Sequence, residues 1–220
     1  FKVQIIKYYS SYLKSKIDCN PFITANTLAI LSHCKDLNLY NAIKNQSQQF
    51  LQQFIENELT WHWKKQNGFS LMPNSIFFGK IKAFALSPDA DCSVLNALAL
   101  EQFDYHEQLI DHLKFYRVDN IKFTLPVQQK QLKANTEGVF LTWFPEEREF
   151  QKKIETIDFV VICNVLWYLG EKNFLEIDGA KQSIQFLNDC LNVNMIKNNS
   201  YRLSPYYPYS TMLIYAYTRS

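Results

Sequence analysis

Two carboxylates open the segment Ser87-Pro88-Asp89-Ala90-Asp91-Cys92-Ser93-Val94-Leu95-Asn96-Ala97-Leu98-Ala99-Leu100, directly ahead of an apolar helical run. A carboxylic acid entering an apolar helix can act in two ways. It can accept the free amide hydrogens of the first turn, which stabilises the helix by about 0.3–1 kcal/mol. Alternatively, an apolar surround can keep it protonated, so that it serves as a proton donor or polar contact for a ligand. On a helix Asp89, Cys92, Ser93 and Asn96 share one stripe, while Asp91 falls with Val94, Leu95 and Leu98 on another. At most one of the two acids is therefore expected to serve a site.

The Asn-x-Leu core of this segment recurs. It stands at Asn26-Thr27-Leu28, Asn96-Ala97-Leu98 and Asn164-Val165-Leu166, with spacings of 70 and 68 residues. Asparagine has poor propensity inside a helix, so something must compensate at each position. The three are expected to line a shared interior surface, where they either hold polar ligand atoms or bridge to neighbouring helix backbones.

The elements that must position these residues read as helices. Apolar spacing and cap signals predict helices over Val3–Lys16, from Asn20-Pro21 to about His33, and over Asn38–Asn57, Asn74–Leu86 and Asp104–Tyr116. Ser87-Pro88 reads as the cap of a helix running to about Gln102. Ile157–Leu169 is an apolar helix ending at Gly170, Phe174–Leu191 is amphipathic, and Ser204-Pro205 reads as the cap of a last helix. Trp61–Pro73 reads as a loop and residues 134–156 as a long irregular excursion. Amphipathic helices alternate with more apolar ones, which predicts an all-α domain of helical hairpins over residues 1–220, arranged as an α/α toroid or partial toroid with inner and outer layers, with extended helical repeats without closure as the competing arrangement. The helices starting near Pro21, Pro88, Ile157 and Pro205 are assigned to the inner layer.

The Asp89-Ala90-Asp91-Cys92-Ser93 segment with its following helix resembles the Asp-x-Asp-Asp-Thr-Ala segment of the terpenoid cyclase and protein prenyltransferase superfamily. Gln66-Asn67-Gly68-Phe69 and Glu137-Gly138-Val139-Phe140 are similar to that superfamily's Gln-x-x-x-Gly-x-Trp turns, with Phe in place of Trp. The resemblance implies an α/α toroid and an acid role for Asp91, the central acid of the motif, with Asp89 beside it. Cys92 stands where a cyclase has its last Asp, and the helices are fewer than a closed ring requires. The implied function is binding of an apolar, isoprenoid-like small molecule in a concave aromatic-rich site. If there is catalysis, a carboxylate would act as the acid in the manner of a class II terpene cyclase. Candidate ligand contacts are Asn26, Asn96, Asn164, Phe140, Trp143, Trp167, Tyr168 and Tyr207. The alternatives are a non-catalytic helical protein-interaction scaffold, with a protein partner, and a carbohydrate-active helical toroid.

Composition narrows the classes. Hydrophobic residues make up 47% and charged residues 20% of the 220, which excludes disorder. The net charge of +2 comes with basic and acidic residues intermixed, so there is no basic stripe for a phosphate backbone and no nucleic acid partner is expected. No apolar run reaches the ~20 residues that span a bilayer, and Lys2–Tyr12 lacks a signal-like apolar core. His33, His62, His106 and His112 show no metal-ligand pairing, and no cofactor or metal is expected. Five cysteines without a CxxC read as free thiols in a reducing, cytoplasmic setting.

Overall fold

The structure, a computed structural model, describes residues 21–33, 37–54, 88–100, 106–118, 134–144, 156–192 and 195–220. These form α1 (Phe22–Ser32), α2 (Leu37–Leu51, followed by a 3-10 turn Gln52–Phe54), α3 (Ala90–Ala99), α4 (His106–Phe115), α5 (Phe159–Glu171), α6 (Ala180–Asn192), α7 (Met195–Leu203) and α8 (Ser210–Arg219). Among the described residues there is no sheet, only two isolated antiparallel bridges, Asp89 with Trp143 and Arg117 with Phe140. The fold is an all-α helical bundle. The expected helices over 3–16 and 74–86, the loop over 61–73, and Cys19 and Cys34 lie outside the described residues.

Central helices differ from peripheral ones in how their apolar residues are distributed. In α5 every residue from Phe159 to Leu169 is buried, and in α3 every residue from Ala90 to Ala97, as befits helices apolar on all sides. In α6, by contrast, Ala180, Ser183, Phe186, Leu187 and Cys190 are buried at helical spacing while Lys181, Gln182 and Gln185 face water. Burying a side chain such as Phe186 contributes roughly 2–3 kcal/mol. α1 packs on α3, α3 on α5 and α5 on α8, while α2 lies against α1, and α6 and α7 flank α5 and α8. The four helices assigned to an inner layer thus follow one another in space.

Helix starts depart from the expectation at four places, among them α5, which begins at Phe159 after Asp158 rather than at Ile157. α3 is capped by Asp89, not by Ser87-Pro88, because Asp89 is held extended in a bridge to Trp143: Ala90 N–H donates to Thr142 O at 2.9 Å and Phe144 N–H to Pro88 O at 2.8 Å. α6 begins at Ala180 rather than Phe174. The chain first turns through Asn173 and Gly179, both at positive φ, and a Cβ on Gly179 would come within 2.7 Å of the Phe140 ring. α8 begins at Ser210, since the Ser204 hydroxyl that would cap a helix there is bonded to Asp158 instead. The 134–144 stretch is irregular, as expected, and Gly138 turns it at φ +72.

The cysteines within the described residues, Cys92, Cys163 and Cys190, are buried free thiols. No helix among these residues is long and apolar enough to cross a membrane.

Candidate site: a buried carboxyl where four helices meet

The two acids at the start of α3 have different surroundings. Asp89 adopts extended backbone angles as N-cap, and its Oδ1 accepts the Cys92 N–H at 2.6 Å. With the cap filled, Asp91 sits one residue inside the helix and turns toward α5. It is 3% exposed. Its Oδ1 accepts from Asn164 Nδ2, and its Oδ2 from the Tyr207 hydroxyl. Asn164 Oδ1 in turn accepts from Arg219 Nη2, and Arg219 Nη1 donates to Asn26 Oδ1 at 2.6 Å. The guanidinium lies over two rings, 4.3 Å from the Trp167 centroid and 5.2 Å from that of Tyr215, two cation–π contacts. One hydrogen-bonded circuit therefore ties α1, α3, α5, α8 and the segment before α8.

Electrostatics follow from burial. Desolvation pushes Asp91 up to about 6, opposed by the Tyr207 and Asn164 hydrogen bonds and by the Arg219 charge. Asp89 is pushed up to about 8, first by burial and then by the charge of Asp91, and its Oδ2 has no partner. A third buried carboxyl, Asp158, caps α5: its Oδ1 accepts from Val160 N (2.9 Å), Val161 N (3.2 Å) and Ser204 Oγ (2.7 Å), its Oδ2 from Tyr206 N (3.2 Å). Burial raises it to about 7, and the neighbouring Asp91 charge adds to that. Among the described residues no three metal-ligating side chains are grouped to hold a metal ion.

Of the residues marked from sequence, Asp91, Asn164 and Tyr207 are in direct contact, and Arg219 brings Asn26 and Trp167 to the same circuit. The others stand apart. Asn96 is fully buried, but its Nδ2 donates to Cys92 O of its own helix at 2.6 Å and its Oδ1 has no partner. Tyr168 meets His106 Nδ1 at 2.9 Å. Phe140 packs at Gly179, its N–H on Ser183 Oγ at 3.3 Å. Trp143 stands opposite Asp89 in the extended bridge, and its Nε1 donates to the Tyr206 hydroxyl at 2.9 Å.

Sequence reasoning missed Arg219 and Asp158. Asp158 had a usable signal, an Asp directly before the apolar run 159–169. Arg219 had none, since one cation in the last turn of a helix is ordinary complementation of the dipole.

Chemically, the circuit presents a carboxyl poised near neutrality, a phenol on one of its oxygens and a guanidinium one amide away. Buried aromatic rings surround it, and exposed apolar residues are present on α8, a combination compatible with a hydrophobic ligand site. No protein-family model matches this chain, and neither curated proteins nor solved structures give a significant match.

Proposed function

We propose that the chain is a terpenoid cyclase-like helical domain whose inner helices form a partial toroid and bind an apolar, isoprenoid-like small molecule, with Asp91 as polar contact or acid. Asn26, Asn164, Tyr207 and Trp167 form its surround. The observation carrying this reading is that Asp91 is buried away from the cap. A first-turn acid contributes about 0.3–1 kcal/mol through the dipole, whereas burying a carboxylate costs several kcal/mol. The cap is already supplied by Asp89. The local gain of a second first-turn acid is smaller than the cost of burying it, so a role at the centre of the bundle accounts for Asp91 better than helix stability does.

Chemistry within this reading would run through Tyr207. Both Asp91 oxygens accept hydrogen bonds, so a proton on Oδ2 must be donated to the Tyr207 oxygen. The phenol hydrogen is then released to point elsewhere, and the hydroxyl becomes the group that meets a ligand.

The test is titration of the purified chain with a neutral isoprenoid alcohol, farnesol, followed by tryptophan fluorescence, for wild type, Asp91→Asn and Tyr207→Phe. Saturable binding that weakens at least tenfold in both variants is expected. Binding unchanged in folded variants, or no binding by wild type, would sink the reading. A helical interaction scaffold is the second reading, favoured by the exposed Met212, Ile214 and Tyr215 of α8. It predicts that the Asp91 and Tyr207 substitutions are silent while charges placed on these three abolish capture of a partner.

A further inference from the structure

Tyr207 reaches Asp91 from a segment that is not part of any helix, and that segment must be held. Residues 204–209 connect α7 to α8 and include Pro205 and Pro208, which have no N–H to contribute. What fixes the near end is Asp158. Its carboxylate takes the Ser204 hydroxyl at 2.7 Å and the Tyr206 N–H at 3.2 Å, one on each oxygen, bracketing the residues just before Tyr207. At its far end the Tyr206 hydroxyl accepts from Trp143 Nε1 at 2.9 Å and, at 3.5 Å, from Thr156 Oγ1. Asp158 itself cannot shift, being fully buried and pinned by two amides of α5.

We infer that Asp158 is a positioning residue: its carboxylate clamps residues 204–206 so that the Tyr207 hydroxyl is delivered to Asp91. All four hydrogen bonds to Asp158 are accepted by it, which makes the role specific to a group with two acceptor oxygens. Asparagine keeps the shape and one acceptor. With its carbonyl oxygen in the Oδ1 place it retains Val160, Val161 and Ser204, but it then sets an amide NH2 against the Tyr206 N–H, donor facing donor. Asp158→Asn therefore keeps the helix cap and releases the clamp.

The inference rests on Asp91 being the centre of the site, but its test uses no ligand, so it stands or falls apart from the binding experiment. The measurement is the titration of the Asp91 carboxyl carbon by NMR in protein carrying 13C-labelled aspartate, assigned by its disappearance in Asp91→Asn. The charged or titratable groups facing Asp91 are Asp89, Asp158, Cys92, Tyr207 and Arg219. Tyr207→Phe removes one donor from the carboxylate, so the Asp91 midpoint should rise by roughly one pH unit. Asp158→Asn should reproduce most of that rise, and adding it to Tyr207→Phe should produce no further rise. The direction is diagnostic. Asp158, raised to about 7, is largely uncharged where Asp91 titrates, and any charge it keeps could only hold the Asp91 midpoint up, so losing that charge cannot raise the midpoint; loss of the Tyr207 contact can. Ser204→Ala, which leaves cap and charge intact, should give a smaller rise of the same sign and carries the test if Asp158→Asn fails to fold. An Asp91 midpoint that stays put or falls in Asp158→Asn and stays put in Ser204→Ala would overturn the inference and leave Asp158 as a helix cap only.

Discussion

Helices α3 and α5 are built to one plan and end in different roles. Each opens on an Asp that caps it, Asp89 or Asp158, and each carries an Asn buried in its interior, Asn96 or Asn164. Yet Asn164 bridges Asp91 to Arg219, while Asn96 bonds to its own helix. The difference lies in spacing. Asn96 follows its cap by seven residues and Asn164 follows its cap by six, and one residue rotates a side chain by about 100° around the helix. The same local motif is thus turned to different neighbours. A repeat in sequence marks a repeated helix, and it is the phase to the cap that decides which face the polar residue presents.

The sharpest way to break this comparison is to truncate both asparagines. Asn164→Ala strips a donor from a buried carboxyl and an acceptor from Arg219, so it should cost about 3 kcal/mol, in the range for breaking a buried charged network. Asn96→Ala removes a bond to a carbonyl that keeps its helical partner, deletes an unpartnered oxygen and gains helix propensity, and should cost no more than ~1 kcal/mol. Urea unfolding of the two variants gives the difference directly. Equal losses would mean that the circuit through Asn164 contributes nothing beyond packing.

What was legible in the sequence follows the same division. The central helices could be read because α3 and α5 are apolar on every side and begin after polar residues, both local properties. The inward placement of Asn164 and the turn of Asp91 away from the cap also follow from helical phase. The partner that joins them could not be read, because Arg219 lies 55 residues from Asn164 and 193 from Asn26, and its own helix gives no sign of facing inward. The start of α8 departs from its local signal for a related reason. Ser204-Pro205 carries a cap signal, but a buried carboxylate 46 residues away takes the serine hydroxyl. Local signals predict a hydrogen bond's donor well, and its acceptor only when that acceptor is also local.

Three buried acids with raised values also set the pH dependence of the fold. Asp91 is held at about 6, Asp158 at about 7 and Asp89 at about 8, all above the ordinary 3.8. A raised folded value means that the native state binds protons the unfolded chain has released. Their contribution to stability is therefore complete below about pH 4 and is lost as pH rises through 6, 7 and 8. A tenfold change in proton affinity on folding is worth about 1.4 kcal/mol, so Asp91 alone accounts for about 2 kcal/mol between pH 4 and pH 7. The expected result is a thermal midpoint higher at pH 5 than at pH 8.5. Asp91→Asn should flatten the lower part of that slope and Asp89→Asn the upper part. A midpoint that rises with pH across this window would contradict the burial of these carboxyls.

The smallest expected effect separates the two acids of α3 from each other. Asp89 caps through one oxygen only, so Asp89→Asn preserves the acceptor for Cys92 N–H and should leave stability at pH 5 within about 0.5 kcal/mol of wild type, since Asn and Asp are comparable caps. Asp89→Ala removes that acceptor and should cost about 1 kcal/mol at the same pH. Neither change touches Asp91's hydrogen bonds to Asn164 and Tyr207, so farnesol affinity at pH 5, where Asp89 is protonated and uncharged, should stay within a factor of two in both. Urea unfolding and fluorescence titration on the same samples decide the matter. If Asp89→Asn were to lose ligand at pH 5 while remaining folded, the unpartnered Oδ2 would have to be the atom that meets the ligand, and the division of labour between cap and site would be reversed.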